Sequence, residues 1–416
     1  MIKVQDWIRN NLKGDPVIWT VVILLSMLST LVVYSAASAP AFRYMGGNTE
    51  HYLIKHSLLL LLGLGATWVA HNINYVYYSK ISRIALLLSV PLLILTYFNG
   101  VTENDASRWL MIPIINQTFQ TSDLAKLALI TNLASMLAKR QKNIEDFKTS
   151  LLPILLWCGT ICGLIALSDL STAMMLFATC MVIMFVGRVP INSLLKLIGI
   201  GIVFLGLALI VGQRGNTAVS RIISWWGMAT GSTPPEQLPY QVQQSFIAIA
   251  KGGFFGVGWG HSSQSYHLPV AYADYIFAII NEEYGVIMGV IVILLFLVLL
   301  YRGMKVATTS EKAFGGLLSV GLTFSLVIQA MINMMVVVGL APVTGLSLPI
   351  LSMGGTSLLF TGVSLGIILS VSRGDLREEI RGMGRNSVIK REEEPMELIK
   401  NEQDDMIDNS TIELSI

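Results

Sequence analysis

The sequence predicts an all-α, polytopic integral membrane protein with about ten transmembrane helices and both termini in the cytoplasm. Three observations support this prediction: 53% of the 416 residues are hydrophobic, only 13% are charged, and the mean hydropathy is +0.65. Soluble domains carry roughly 25% charged residues, so about half of the usual charge is missing. This composition excludes an ordinary soluble enzyme, a disordered chain and a nucleic-acid-binding protein.

Ten apolar runs are candidates for crossing a bilayer, which takes about 20 residues at a rise of about 1.5 Å each. The first run follows three basic residues but has no small-residue cleavage site, so we expect a retained helix instead of a signal peptide. The runs lie at 17–37, 56–72, 83–99, 122–138, 150–167, 172–187, 194–211, 275–301, 313–340 and 357–372.

The distribution of basic residues predicts the orientation and the domain limits. With the N-terminus inside, ten spans place 21 of the 28 Lys and Arg residues on the cytoplasmic side. We therefore expect a short cytoplasmic N-terminus (1–16), a membrane domain (17–372) and a charged cytoplasmic tail (373–416). The tail has the composition of a segment that does not fold alone. The same topology leaves a long external loop over 212–274 and a shorter one around 100–121.

One segment of the long loop has the pattern of a helix lying at the membrane interface. Val242, Phe246, Ile249 and Ala250 fall on one helical stripe, and the glutamines at 243 and 244 lie opposite. Glycines at 252 and 253 predict its end. The later glycines 256, 258 and 260 predict tight turns or a close approach of the backbone, since no βαβ unit surrounds them.

Ionisable residues at membrane depth are costly and are therefore functional candidates. Lys126 and Asp169 are predicted at similar depth, where two interpretations stay open. They could form a structural ion pair, or Lys126 and Arg108 could face the phosphate oxygens of an anionic ligand. The complete set is Arg108, Asp123, Lys126, Asp169, Asp274, Glu282 and Glu283.

Asp274 also has two interpretations, because it stands at the start of the eighth run. It could cap the first turn of that helix, or it could act as a general base at the edge of the apolar layer. Glu282 and Glu283 lie two turns deeper, where structural hydrogen bonding is the favoured role. The five histidines and three cysteines show no metal-ligand spacing.

Three polar blocks, at 243–260, 268–285 and 339–357, carry a resemblance that covers roughly residues 17–374. With them the chain resembles the shape, elongation, division and sporulation (SEDS) family of bacterial peptidoglycan glycosyltransferases. The resemblance implies a ten-helix enzyme that polymerises lipid II into glycan strands, with Asp274 as the catalytic residue. Here Ala273 and Tyr275 replace the usual neighbours of that aspartate.

The resemblance also implies a set of substrate-binding residues and leaves the metal requirement open. No cofactor is certain, and a divalent cation such as Mg²⁺ or Mn²⁺ could assist. The motifs around Lys126 and Asp169 keep the lysine and the aspartate but have lost a proline each, and the motif around Asp169 also lacks a glycine. The implied substrate-binding residues are Arg108, Trp109, Lys126, Asp169, Gln244, Ser245, Pro342, Thr344, Gly345 and Ser352.

The first run, through residues 33–38, is most similar to the division members of the family. That similarity implies septal cell-wall synthesis in the bacterial cytoplasmic membrane. The implied ligands and partners are lipid II, an undecaprenyl-pyrophosphate-linked glycan, a class B penicillin-binding transpeptidase and other division proteins. An elongation-type polymerase, a lipid II flippase and a non-catalytic scaffold are the alternatives. The clustering of polar residues near the outer face disfavours the flippase, which needs a polar path through the bilayer.

Overall fold

The computed structural model describes residues 12–37, 49–103, 106–112, 117–141, 144, 146–211, 215–268 and 270–374. The N-terminal residues 1–11 and the predicted tail from 375 onward lie outside this part of the chain. The helices are α1 (Pro16–Ala36), α2 (Thr49–Asn72), α3 (Tyr75–Asn99), α4 (Thr121–Arg140), α5 (Leu152–Ser168), α6 (Leu170–Val186), α7 (Ile191–Val211), α8 (Gly215–Ala229), α9 (Tyr240–Gly252), α10 (Ile276–Thr309), α11 (Ala313–Val337) and α12 (Gly355–Gly374).

Each of the ten predicted runs coincides with part of a helix, which confirms a polytopic membrane fold. Eight helical segments of the described chain are long and apolar enough to cross a membrane. The other two runs correspond to α6, which is apolar but has only 17 residues, and to α4, which is more polar. Helices α2, α3 and α10 extend beyond the runs, because their polar end turns continue past the apolar part of the sequence.

Helix α11 lies at the centre of the bundle. It packs against α4, α6 and α10, and 67% of its apolar window is buried, compared with 17% for the peripheral α7. Small and polar residues on α11 allow these neighbours to approach closely. Ser319, for example, donates a hydrogen bond to the carbonyl of Gly303 on α10. The central position of α11 lets it carry side chains that hold several loops at the outer end.

The segment around 100–121, expected to be a loop in an all-α chain, contains a three-stranded antiparallel sheet. Its strands are β1 (Val101–Glu103), β2 (Ala106–Ile112) and β3 (Gln117–Gln120), in the order β1-β2-β3. Trp109 on β2 lies opposite Gln120 on β3. Strand pairing satisfies backbone groups that a loop would leave exposed beside the membrane. The sheet leads directly into α4.

Helix α8 was not expected, since its segment falls within the long external loop. Val219, Ile222, Ile223 and Trp226 form an exposed apolar stripe along it. This spacing is typical of a helix that lies on a membrane surface. The stripe is visible in the sequence, but residues 215–229 are too few to span a bilayer.

Helix α9 forms where the sequence predicts a helix at the membrane interface. Its buried face is rotated from the predicted stripe. The buried residues are Val242, Ser245, Ala248 and Gly252, whereas Ala250 is exposed. Small side chains on this face allow α9 to pack closely against α10, and Gly252 lies directly against the backbone of Asn281. Close contact between helices, and not apolarity alone, therefore determines which face is buried.

Helix α10 is interrupted at Gly285, whose φ of 78° and ψ of 174° are not helical. The segment that follows α9 pairs with this break. Val257 N donates to the Glu282 carbonyl at 2.9 Å, and Val286 N donates to the Gly253 carbonyl at 2.9 Å. These bonds satisfy backbone groups that the break leaves unpaired, as a membrane environment requires. Of the glycines predicted to allow tight turns or a close approach, Gly256 lies directly against the Glu283 carbonyl, and Gly260 has open space and a φ of +74°.

Candidate active site

Asp274 lies in the turn that precedes α10, and the backbone of this turn is anchored on both sides. Asn333 on α11 donates through Nδ2 to the carbonyl of Asp274 at 2.8 Å and to that of Leu346 at 2.7 Å. The hydroxyl of Ser352 donates to the carbonyl of Ala273 at 2.6 Å. The N-cap position of α10 is Tyr275, so Asp274 lies one residue before it.

Gly345 lies opposite Asp274 and brings a carboxylate and a guanidinium to one place. A Cβ atom at Gly345 would lie 3.5 Å from Asp274 Oδ2 and 4.0 Å from Arg108 Nη1. The φ of Gly345 is +69°, a conformation that favours glycine. The loop after α11 therefore passes directly beside both charged groups, and this cluster is the outer site of the protein.

Arg108 on β2 pairs with Asp169 at the junction between α5 and α6. Their atoms Nη1 and Oδ2 are 3.2 Å apart, and both side chains are nearly buried. Asp169 also accepts a hydrogen bond from Thr172 N at 3.2 Å, as the N-cap of α6. Arg108 is thus held in place by a helix terminus that is itself fixed. The hypothesis that Lys126 pairs with Asp169 is wrong, because Arg108 occupies that position.

Lys126 pairs instead with Asp123 on its own helix. Nζ and Oδ1 are 2.8 Å apart, a spacing that positions i and i+3 of a helix allow. Lys126 Nζ also lies 3.5 Å from Gln329 Oε1, and Gln329 Nε2 donates to the carbonyl of Ser347 at 2.9 Å. Gln329 precedes Asn333 by four residues, so Lys126 lies about 6 Å deeper than the Asp274 turn.

Lys126 and Asp123 line a cavity between α4, α11 and α12 whose empty space, part of which is open to solvent, is about 380 Å³. Asp123 Oδ2 is buried and has no hydrogen-bond partner within the described part of the chain. The remaining lining combines apolar side chains with hydroxyl groups at Ser325, Ser357 and Thr361. The cavity thus joins one cation and one acidic group to an apolar wall below the outer site.

Arg221 on α8 is the functional candidate that sequence reasoning missed. Its Nη1 donates to the carbonyl of Val343 at 3.2 Å, two residues before Gly345. Its location within an unexpected helix explains the omission, because the long loop gave no reason to place it near Asp274. The available signal was a lone arginine among apolar residues in the amphipathic segment 215–229.

The electrostatic environment of Arg221 also places it in the outer site. Burial lowers the pKa of its guanidinium, and the positive charge of Arg108 lowers this pKa further. Tyr275, Asp169 and Asp274 act in the opposite direction on the same pKa. Arginine remains protonated despite such shifts. Two guanidinium groups and two carboxylates therefore share one small region.

The other residues implied by the resemblance have different surroundings. Trp109 is half-buried and neighbours Arg108 on β2, so the two side chains point to opposite faces of the sheet. Ser245 is fully buried, with its hydroxyl near the carbonyls of Val242 and Val337. We assign Ser245 to helix packing. Gln244 is half-buried on α9.

The loop after α11 contributes three further predicted residues. Pro342 lines a second cavity together with Arg221, and Thr344 stands half-buried between Val343 and Gly345. Ser352 is buried and holds the Ala273 carbonyl, as described above. Ser352 therefore holds the turn that carries Asp274 in place.

Glu282 and Glu283 have structural surroundings. The Glu282 carboxylate accepts hydrogen bonds from the hydroxyl of Ser262 at 2.5 Å and from Ser263 N at 3.1 Å. Glu283 accepts a hydrogen bond from the hydroxyl of Ser35 on α1. Both glutamates thus fix the loop 253–266 and α1 against the broken part of α10. This agrees with the hydrogen-bonding role favoured from the sequence.

Within the described residues, no group of three or more His, Cys, Asp or Glu side chains could hold a metal ion. Asp169 and Asp274 are the carboxylates nearest to the outer site, and Arg108 stands close to both. The reaction proposed for this site uses only the side chains of this chain.

Comparison with known proteins identifies similar sequences and folds. The model of the cell cycle protein family FtsW/RodA/SpoVE matches residues 15–376. A probable peptidoglycan glycosyltransferase FtsW from Geobacter sp. (strain M18) is 33% identical over 86% of this chain and 96% of the relative. Stage V sporulation protein E from Bacillus subtilis (strain 168) is 34% identical over 86% and 97%.

Two solved structures share the fold. One, from a study of how a peptidoglycan synthase complex coordinates polymerization and crosslinking, has a TM-score of 0.66 and 25% identity, covering 87% of this chain and 98% of that one. The other is the rod shape determining protein RodA of Thermus thermophilus, with a TM-score of 0.62, 24% identity, and coverage of 86% and 97%. The similarity therefore extends over nearly the whole membrane domain.

Proposed function

Because this chain belongs to the FtsW/RodA/SpoVE family of cell cycle proteins, we propose that it is a peptidoglycan glycosyltransferase that polymerises lipid II. It is a multi-pass membrane protein. The observation that carries the proposal is the juxtaposition of the Asp274 carboxylate and the Arg108 guanidinium at Gly345. The positive-inside rule places this end of the bundle outside the cytoplasm, where a lipid-linked saccharide presents its head group.

In the proposed reaction, Asp274 is the general base. The hydroxyl of the acceptor sugar attacks the anomeric carbon of the lipid-linked glycan, and its proton passes to the Asp274 carboxylate. A new glycosidic carbon–oxygen bond forms, while the bond between that carbon and the pyrophosphate oxygen breaks. The electron pair of the broken bond leaves with undecaprenyl pyrophosphate. The reaction needs no oxidant or reductant.

Arg108 stabilises the negative charge that develops on the leaving pyrophosphate. A guanidinium presents several N–H donors in a plane that matches phosphate oxygens. Asp169 holds Arg108 at a distance of 3.2 Å and so limits its reorientation during the reaction. Lys126, about one helical turn deeper, supplies a second cation for lipid-linked substrate at the cavity between α4 and α11.

The test is polymerisation of purified lipid II by the purified full chain, comparing wild type with Asp274→Asn. Asparagine preserves the size of the side chain but cannot accept the proton, so glycan formation should fall by about 10²–10⁴-fold. Asp146→Asn is the matched control, because Asp146 is exposed and lies at the cytoplasmic side. A fully active Asp274→Asn protein would refute the assignment of the base.

The same assay separates a polymerase from a flippase. A polymerase releases one undecaprenyl pyrophosphate for each new glycosidic bond, whereas a flippase moves intact lipid II and forms no bond. The collection of charged groups at the outer end, instead of along a path through the bundle, favours the polymerase. Lipid II movement in vesicles without any glycan product would support the flippase.

We further propose that the protein acts in septal cell-wall synthesis with a class B penicillin-binding transpeptidase and other division proteins. Relatives named FtsW, and a structural neighbour from a study of coordinated polymerization and crosslinking, support this assignment. Fluorescent fusion of the full chain should concentrate at midcell during constriction. A uniform distribution along the lateral wall would instead indicate an elongation role.

A further inference from the structure

A second cavity lies beside the outer site and has no role in the reaction proposed above. It lies between α8, α9 and the loop that follows α11, and its empty space, part of which is open to solvent, is about 520 Å³. Because Arg221 is among its lining residues, we call it the Arg221 cavity. Its lining includes Arg221, Trp225, Met228, Val336, Ala341 and Val343.

One short stretch of backbone, Val343–Gly345, links the Arg221 cavity to the catalytic cluster. Arg221 Nη1 lies 3.2 Å from the carbonyl oxygen of Val343. Two residues later, Gly345 packs beside Asp274 Oδ2 and Arg108 Nη1. The two guanidinium groups therefore approach the same loop from opposite elements, Arg108 from β2 and Arg221 from α8. An anion placed beside Val343–Gly345 would meet both.

The Nε atom of Arg108 supports an anion at this position. Arg108 Nε is buried and has no hydrogen-bond partner within the described part of the chain. A buried donor without an acceptor is costly and uncommon in folded proteins. Asp169 satisfies only the Nη1 end of this guanidinium. An oxyanion beside Arg108 would supply the missing acceptor.

Most of the remaining lining of the Arg221 cavity is apolar, and Ser224 and Gln241 are its other polar side chains. Trp225, Met228 and Val336 form its walls, and the Trp225 indole is fixed by a hydrogen bond from Nε1 to the carbonyl of Gly339 at 3.1 Å. The outer side of α8 carries the exposed stripe of Val219, Ile223 and Trp226, which indicates contact with the membrane surface. A cation at one end of an apolar pocket at this depth fits an anionic head joined to a hydrocarbon chain.

We propose that the Arg221 cavity binds the pyrophosphate and first isoprenoid units of the donor, with Arg221 as the second guanidinium on the pyrophosphate. This inference rests on the proposed function. The donor is favoured over the acceptor because the pyrophosphate of the donor leaves from the carbon that is attacked, and therefore must lie near the base. Arg221 is linked to Asp274 through Val343 and Gly345, whereas Lys126 lies deeper.

The experiment measures equilibrium binding of radiolabelled undecaprenyl pyrophosphate, and separately of undecaprenyl phosphate, to the full chain in lipid nanodiscs. Arg221→Gln keeps an amide donor for the Val343 carbonyl but removes the charge. It should weaken pyrophosphate binding by about tenfold or more, since a charge-assisted hydrogen bond is lost. It should weaken monophosphate binding much less, and Arg221→Lys should recover part of the loss. Lys251→Gln, which removes an exposed cation of α9, is the matched control and should bind as wild type.

A second variant tests the apolar part of the cavity. Ala341→Phe fills the space between α8 and α9 and should weaken binding of both lipids by a similar factor. Ala229→Phe adds the same ring at an exposed position at the end of α8 and should have no effect. General misfolding would lower binding of both lipids in Arg221→Gln as well, whereas a pyrophosphate contact changes the ratio of the two affinities.

Wild-type binding of both lipids by Arg221→Gln and by Ala341→Phe would overturn the proposal, even if the wild-type chain polymerises lipid II. An unchanged affinity ratio in Arg221→Gln would equally overturn the role of Arg221. If the wild type binds undecaprenyl pyrophosphate through Arg221 but forms no glycan, the site is supported and the proposed polymerase activity fails. The two proposals are therefore tested separately.

Discussion

At the scale of single residues, the outer site and the cavity below it are each organised by an ion pair that is largely shielded from water. Arg108 pairs with Asp169, and Lys126 pairs with Asp123. Breaking a buried pair costs more free energy of unfolding than removing both members, because a lone charge is left without a partner. Each cation is thus held in a defined place before substrate binds, which a site for pyrophosphate requires.

This pairing predicts the outcome of double-mutant cycles on the free energy of unfolding in detergent. Lys126→Met and Asp123→Asn should couple by roughly 0.5–3 kcal/mol, because they remove the two halves of one contact. Lys126→Met combined with Asp169→Asn should be additive within about 0.5 kcal/mol, because these residues belong to different pairs. Strong coupling of Lys126 with Asp169 would contradict the pairing described here.

Asn333 is the residue that joins the two halves of the site. Its single amide nitrogen holds the carbonyls of Asp274 and Leu346, which belong to segments more than 70 positions apart in the chain. The amide belongs to α11, which packs against α4, α6 and α10, so its own position is well defined. Asn333 therefore acts through the backbone as a positioning residue for Asp274.

At the scale of elements, the interrupted helix α10 sets where the Asp274 turn lies. The backbone of 253–258 pairs with the break around Gly285, and the carboxylate of Glu282 caps the loop that follows. The close approach leaves no space for side chains on the facing residues. Gly256 has a φ of +82°, and a Cβ there would overlap the Glu283 carbonyl. These contacts fix α9 against the start of α10.

Gly256→Ala should therefore be strongly destabilising. Left-handed strain and the overlap with Glu283 should together cost at least about 2 kcal/mol, and polymerisation should be lost with the fold of this junction. Gly260→Ala is the matched control. It has a similar φ of +74° but open space around its Cβ position, so it should cost only about 1 kcal/mol. Thermal unfolding of the two variants checks the difference, and equal melting temperatures would contradict the packing argument.

At the scale of the whole molecule, the two ends of the bundle have separate tasks. At the end opposite the outer site, Asp15 caps α1 by accepting a hydrogen bond from Val17 N at 2.9 Å. The other carboxylate oxygen of Asp15 accepts a bond from Arg302 Nε at 2.7 Å, and Asp15 N donates to the hydroxyl of Ser372 at 2.9 Å. One residue thus joins α1, α10 and α12 at the predicted cytoplasmic surface.

Arg302→Ala should lower stability without changing the catalytic rate of the folded enzyme. The loss leaves Asp15 buried without its cation and should cost about 1–3 kcal/mol. The outer site lies roughly 40 Å away along α10, so its geometry should be unaffected. Lys305→Ala removes an exposed charge one turn further on and should change stability by less than about 0.5 kcal/mol. If fully folded Arg302→Ala had a much lower catalytic rate than wild type, the two ends of the bundle would be coupled.

The sequence by itself determined the features that depend on local composition. Apolar runs long enough to cross a bilayer predict the helices, because an unpaired backbone in lipid is costly and a helix satisfies it within one segment. The rarity of charge within and beside such runs singles out Lys126 inside one run and Arg108 and Asp274 close to the ends of others, because ionisable groups near membrane depth are costly. The glycines at 256, 258 and 260 likewise predict tight turns or a close approach of the backbone.

Only the tertiary structure decided which of these residues meet. Asp169 could pair with either cation by depth alone, and the sheet at 101–120 determines that Arg108 reaches it. Arg221 joins the site because α8 folds back against the loop after α11, a contact between segments more than 100 residues apart. Hydrophobic patterning reports burial and period, but it contains no information on the angle or neighbour of a helix. Those depend on side-chain packing and on hydrogen bonds between distant segments, such as the bonds from Asn333 to Asp274 and Leu346.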